Sequence, residues 1–227
     1  MTLDYRIISI GTLESHPLWN ESKAIRTGHA TTTLITTDDA KILVDPSLPP
    51  TALLARLGER TPVRPDEITH VFMTSLDPLH RRAVTAFPDA KWFAAEAERE
   101  AALADLDDQR EEARSSGDEE LQQLVEQSQD VVSRCAVAPD HLTHGVDLFP
   151  LPGVTPGCCG LLLALARQTV LICGDAVPTV EHLAQGQVLP DSVDVEQAQE
   201  SFREAVEIAD VLVLGRDNVV ANPLRPL

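Results

Sequence analysis

Short runs of β-branched and apolar residues dominate both ends of the chain, and a polar stretch with helical spacing lies between them. YRIISIGTL, ATTTLITT and AKILVDPS have the pattern of strands, and TTDDAK between the last two predicts a hairpin turn. PPTALLARLGE predicts a helix, with proline near its start and glycine near its end. ITHVFMTS predicts a strand, PLHRRAVTAF a short helix and KWFAA another strand. Residues 94–133 predict a long helical region that SSGD, at 115–118, divides in two. Leu121, Leu124, Val125 and Val132 share one face of its second helix, which predicts packing through that face.

The pattern then returns to strands in VDLFPLPG, GLLLALA and TVLICGDA. DVEQAQESFREAVEIAD predicts an amphipathic helix capped by Asp194, and VLVLGRDNVV a final strand ending in a loop. Strands in both halves, each half with covering helices, predict an α/β architecture of two sheets packed face to face between helical layers. No repeat or linker divides the pattern, so one domain over 1–227 is expected, with an acidic helical segment at about 94–133.

Composition narrows the function classes. The 227 residues can bury a sizeable core without disulfides. A net charge of −18 argues against a nucleic-acid partner, which calls for clustered Lys and Arg. Residues 96–130 alone hold thirteen Asp and Glu against three Arg, and these read as a solvated outer face. No apolar run is long enough to cross a bilayer, and the opening residues lack the basic and apolar regions of a signal peptide. The expectation is a cytoplasmic protein with no membrane partner; homo-oligomerisation stays open. Four cysteines without a CxxC pair read as reduced and mostly buried.

Candidate chemistry lies in loops after the predicted strands: SLDPLH at 75–80, LPGVTPGC at 151–158, GDAV at 174–177 and LGRD at 214–217. In their order the chain resembles the metallo-β-lactamase-fold hydrolases, from ATTTLITTDDAKILVDPS to GRDNVV. That resemblance implies an αββα sandwich with a metal site at the edge of its two sheets. The family's HxHxDH motif falls on Ser75, Asp77, Leu79 and His80, and its TPGHTPGH motif puts Val154 and Cys158 at the histidine positions. The bridging aspartate is kept as Asp175, whereas the last histidine falls on Arg216. Asp45 matches an aspartate that supports the site from behind, and is read here as structural. His16 and Trp19 sit on a loop that borders the pocket in this family.

Zinc takes imidazole, thiolate or carboxylate, and Leu79 and Val154 offer none of these. The Arg216 guanidinium stays charged and repels a cation. The expectation is therefore a degenerate metal site in a pseudoenzyme, with no cofactor. An internal ion-pair cluster would replace the metal, Arg216 would bond both Asp77 and Asp175, and Leu79 and Val154 would fill the vacated space. The pocket would bind a small molecule, or the protein would regulate a protein partner. The alternative is a hydrolase with one Zn, Fe or Mn ion on Asp77, His80 and Asp175. A third reading is metal-free acid–base chemistry by His80 and Asp175. Cys158, His182 and His144 are spare candidates for an unconventional ligand.

Overall fold

The computed structural model describes residues 3–225. The first sheet contains β1 (Leu3–Ser9), β2 (Thr32–Thr37), β3 (Lys41–Val44), β4 (His70–Phe72), β5 (Lys91–Ala94) and β6 (Ala136–Val137), in that spatial order. β1–β2–β3 run antiparallel, and β3–β4–β5–β6 run parallel. The second sheet is ordered β12 (Val219–Ala221), β11 (Val211–Val213), β10 (Thr169–Ile172), β9 (Cys159–Ala164), β8 (Val146–Pro150), β7 (His141–Thr143). Only its β10–β11 pair is parallel.

Side-chain alternation assigns each strand's two faces to two cores. In β3, Ile42 and Val44 point between the sheets and Leu43 points outward; in β10, Val170 and Ile172 point between them and Leu171 outward. Phe72, Val146, Leu161, Leu163, Val211 and Val213 complete the inter-sheet layer. The outer face of the first sheet packs against α1 (Pro50–Arg60), α2 (Glu96–Ser116) and α3 (Glu119–Arg134) through Leu53, Leu57, Leu106, Val125 and Val132. The outer face of the second packs against α5 (Val195–Ile208) through Phe202, Ala205 and Val206. A short α4 (Val180–Gln185) precedes α5.

Local chemistry sets the boundaries. The helical region breaks where Gly117 takes φ +69° and the Asp118 side chain caps α3 by accepting from the Leu121 N–H. Asp194 caps α5 in the same way, accepting from the Gln197 N–H. Three expectations are corrected. Residues 78–87 do not form a helix, only one 3-10 turn at Val84–Ala86. Its local backbone bonds span three residues (Val84 N–H to Arg81, Ala86 to Ala83, Phe87 to Val84), and the Ala83 N–H donates to the Pro46 carbonyl and Arg81 Nε to the Leu76 carbonyl, so the segment stays in short turns. VLVLGRDNVV is two antiparallel strands, β11 and β12, because the LGRDN segment turns the chain back. Leu124 is exposed, with Leu121, Val125 and Val132 carrying the packing of α3.

Candidate functional site

Four loops meet where parallel strands end. Asp45 follows β3 and Thr74 follows β4; Asp175 follows β10 and Arg216 follows β11. Two glycines fix the last pair. Gly174 has φ +53°, and a Cβ there would press on Thr74; a Cβ on Gly215 would collide with the Gly174 backbone. Only bare backbone permits this approach, which sets Asp175 beside Arg216 although they are 41 positions apart.

Arg216 forks onto Asp175, with Nε donating to Oδ1 at 2.7 Å and Nη2 to Oδ2 at 2.6 Å. His80 Nε2 donates to the same Oδ2 at 3.0 Å. The 3.1 Å separation of Arg216 Nη2 from His80 Nε2 follows from this sharing, because both nitrogens converge on one oxygen. On its other side, His80 Nδ1 lies 3.2 Å from Asp45 Oδ2 and 3.2 Å from Thr74 Oγ1. Asp45 in turn accepts from the Thr74 N–H at 2.8 Å and the Thr74 hydroxyl at 2.6 Å. It holds a left-handed backbone with φ +48°, a strained conformation that Asp tolerates better than most residues.

The cluster is buried, with His80 fully so and Arg216 8% exposed. Burial opposes charge on His80, but the Asp45 and Asp175 carboxylates outweigh it and raise the imidazole to about 10. Burial likewise opposes ionisation of Asp175, yet Arg216 and His80 hold its carboxyl well below the usual carboxylate range. The guanidinium, disfavoured by burial, is held charged by Asp175. Two carboxylates and two cations therefore leave a cluster of zero net charge.

The other two motif loops are tied by a residue the sequence reading assigned to a solvated face. Glu98, in the first turn of α2, is buried. Its Oε1 accepts from the Ser75 hydroxyl and the Leu76 N–H, both at 2.8 Å. Its Oε2 accepts from the Thr155 hydroxyl at 2.7 Å and the Gly157 N–H at 3.2 Å. A Cβ on Gly157 would strike the α2 backbone, so the 151–158 loop seats directly on that helix end. The same loop is held from the far side by α5, where Ser201 Oγ donates to the Pro152 carbonyl at 2.6 Å. One signal for Glu98 existed: it shares a helical stripe with Ala102 and Leu106.

Other candidates fall elsewhere. Asp77 is exposed, and its Oδ1 accepts from the Leu79 N–H at 2.7 Å. It does not bond Arg216, so the expected bridge to two carboxylates is corrected: the fork meets Asp175 alone, and His80 joins it. Leu79 and Val154 are half-buried in a cavity wall rather than filling space inside the cluster. His16 turns toward α4, with Nε2 3.1 Å from Thr179 Oγ1 and 3.2 Å from Glu181 Oε2. Trp19 stacks on it at 4.2 Å between ring centroids. From the same loop Leu13, Glu14, Ser15 and Pro17 line the cavity, whereas His16 and Trp19 do not. His182 shares Thr179 with His16 through an Nδ1–Oγ1 distance of 2.9 Å, and burial lowers its pKa to about 4. Cys158 is buried, and burial followed by the Asp175 charge pushes its thiol well up, away from the thiolate a metal needs. His144 is exposed between β7 and β8.

These residues do not fit a metal. Asp175 accepts from three N–H groups, both ring nitrogens of His80 face carboxylates, and a fixed cation fills the remaining side. Among the described residues, no group of three or more His, Cys, Asp or Glu side chains is arranged to hold an ion. A cavity of about 540 Å³ opens above the cluster, with Asp175 and Arg216 in its lining.

A family model described as the metallo-beta-lactamase superfamily matches residues 25–215. No curated protein matches the chain. Among solved structures, a Thermotoga maritima protein described as a presumed metallo-beta-lactamase is 17% identical, with a TM-score of 0.70, covering 97% of this chain and all (100%) of that one. AidC, described as a dizinc quorum-quenching lactonase, is 18% identical with a TM-score of 0.61, over 78% of this chain and 67% of its own. A quorum-quenching N-acyl homoserine lactone lactonase is 19% identical with a TM-score of 0.63, over 95% and 91%. At these identities the likeness is one of fold.

Proposed function

The chain belongs to the metallo-beta-lactamase superfamily, and we propose that it is a non-hydrolytic member whose metal centre is replaced by the Asp45–His80–Asp175–Arg216 cluster and whose cavity binds a small molecule. The observation that carries this reading is the Arg216 fork on Asp175, at 2.7 and 2.6 Å. A hydrolytic metal works by polarising a carbonyl or by lowering the pKa of a bound water. A guanidinium coordinates no water, and Arg216 commits its Nε and Nη2 to a carboxylate. What it supplies is the positive charge that lets two aspartates stay ionised in a buried place.

The same reading gives the motif loops their role. Glu98 and the ion cluster together tie the 75–80, 151–158, 174–177 and 214–217 segments, so the loop frame needs no metal to hold it. The reading also speaks against the acid–base alternative, because both ring nitrogens of His80 face partners inside the cluster.

The deciding experiment is elemental analysis of protein grown with zinc, iron and manganese and purified without chelators. The expected result is no stoichiometric metal, with lactam, thioester and phosphodiester probes hydrolysed no faster than in buffer. Near-stoichiometric metal that is lost in Asp175→Ala would overturn the reading in favour of a single ion on Asp77, His80 and Asp175.

A further inference from the structure

The cavity above the cluster has a charge pattern that narrows what it can hold. Its apolar wall comes from Leu13, Pro17, Leu79, Val154 and Leu189. Its charged lining residues are Glu14, Asp77, Asp175, Asp191 and Arg216. Arg216 and Asp175 neutralise each other, so the lining has one cation, already paired, against three further carboxylates. Of these, Asp77 feels the fields of Arg81 and Arg216. Glu14 and Asp191 are exposed, and neither side chain has an ion-pair partner among the described residues.

A concave space of this size with apolar walls and a few polar groups is what small organic ligands occupy. An anionic ligand would meet three further carboxylates in the lining, whose one cation is already forked onto Asp175. A divalent ion would meet carboxylates that are not grouped to coordinate it. An ammonium on an apolar body satisfies both halves of the lining. We propose that this cavity takes a small organic amine in its cationic form, its ammonium facing Glu14 and Asp191 and its apolar body lying on Leu79, Val154 and Leu189. The inference rests on the reading that Arg216 is held by Asp175 and is not free to receive an anion. The acidic field of the whole chain, net −18, draws the same class of ligand toward the opening.

The test is calorimetric titration of the full-length protein with three probes of one shape: phenethylamine, 2-phenylethanol and 3-phenylpropanoate. The amine is expected to bind about tenfold tighter than the alcohol at low salt and to weaken at 0.5 M salt, as charge pairs at an accessible site do. The carboxylate is expected not to bind. Glu14→Gln and Asp191→Asn, both at exposed positions outside the buried cluster, should each weaken the amine about two- to fivefold. Equal or tighter binding of the carboxylate, no binding of any probe, or unchanged amine affinity in both variants would each overturn the inference. Metal content measured on the same preparation separates the two levels. Metal-free protein that prefers the carboxylate sinks only the charge argument, whereas metal held at Asp175 sinks the reading beneath it.

Discussion

Arg216→Met deletes the guanidinium while keeping an unbranched side chain in its place. In the folded protein it removes two charge-assisted hydrogen bonds, at 2.7 and 2.6 Å, and changes the cluster from zero to −1. Asp45 and Asp175 would then share one cation, His80, in a place with almost no solvent. Removing one partner of a buried pair costs about 3–5 kcal/mol, because the charge left behind stays desolvated. That is a large part of the roughly 5–15 kcal/mol that holds a typical domain folded. Urea unfolding followed by circular dichroism should therefore show a large fall in midpoint. Charge balance makes a sharper claim. Adding Asp175→Asn to Arg216→Met restores neutrality, so the double variant should recover about 2 kcal/mol or more over the single one. A loss below about 1 kcal/mol in Arg216→Met, or a double variant less stable than the single, would refute the reasoning.

Glu98→Ala strands four donors from two loops, and should cost about 2–4 kcal/mol by urea unfolding, with Glu98→Gln milder because it keeps an acceptor toward Ser75 and Leu76. His80 is raised to about 10 from an ordinary value of 6.5, so between these the folded chain binds the extra proton. Its stabilising contribution is full below pH 6.5 and is lost as pH rises through about 10, so the stability gap between wild type and His80→Gln should narrow over that window. All four cysteines are buried, and burial pushes up the Cys135 thiol to about 11 and the Cys159 thiol to about 12. A thiol-reactive dye should therefore label the native protein slowly, and label all four cysteines once urea unfolds it.

The strands of 4 to 7 residues were legible because alternation and β-branching report the sheet directly. The α2–α3 break was legible because Gly117 and Asp118 have the residue types a helix end and a helix start require. Very short elements were not: β6 has 2 residues and β7 has 3, too few to show a period. At 78–87 the backbone closes only short three-residue turns, while the Ala83 N–H and the Arg81 side chain bond to Pro46 and Leu76 outside the segment, contacts that local propensity does not report. At the site, motif order pointed to Asp175 and Arg216 because each follows a strand. Spacing could not reveal that His80 would complete the fork in place of Asp77. Glu98 was hidden for a different reason. Its partners lie 22 to 59 positions away, and a run of acidic neighbours made it look like one more surface charge.

The neutrality of the buried quartet works as a ratchet. On the proposed reading, a first step toward metal binding, such as Arg216→His, would remove one of the cluster's two cations while Leu79 and Val154 still offered nothing to an ion. Restoring those ligands first would add polar groups beside a guanidinium that repels the ion they are meant to hold. On the reading proposed above, each of these steps passes through a less stable form with no metal centre, so substitutions in the cavity wall meet a lower barrier than a change toward metal binding.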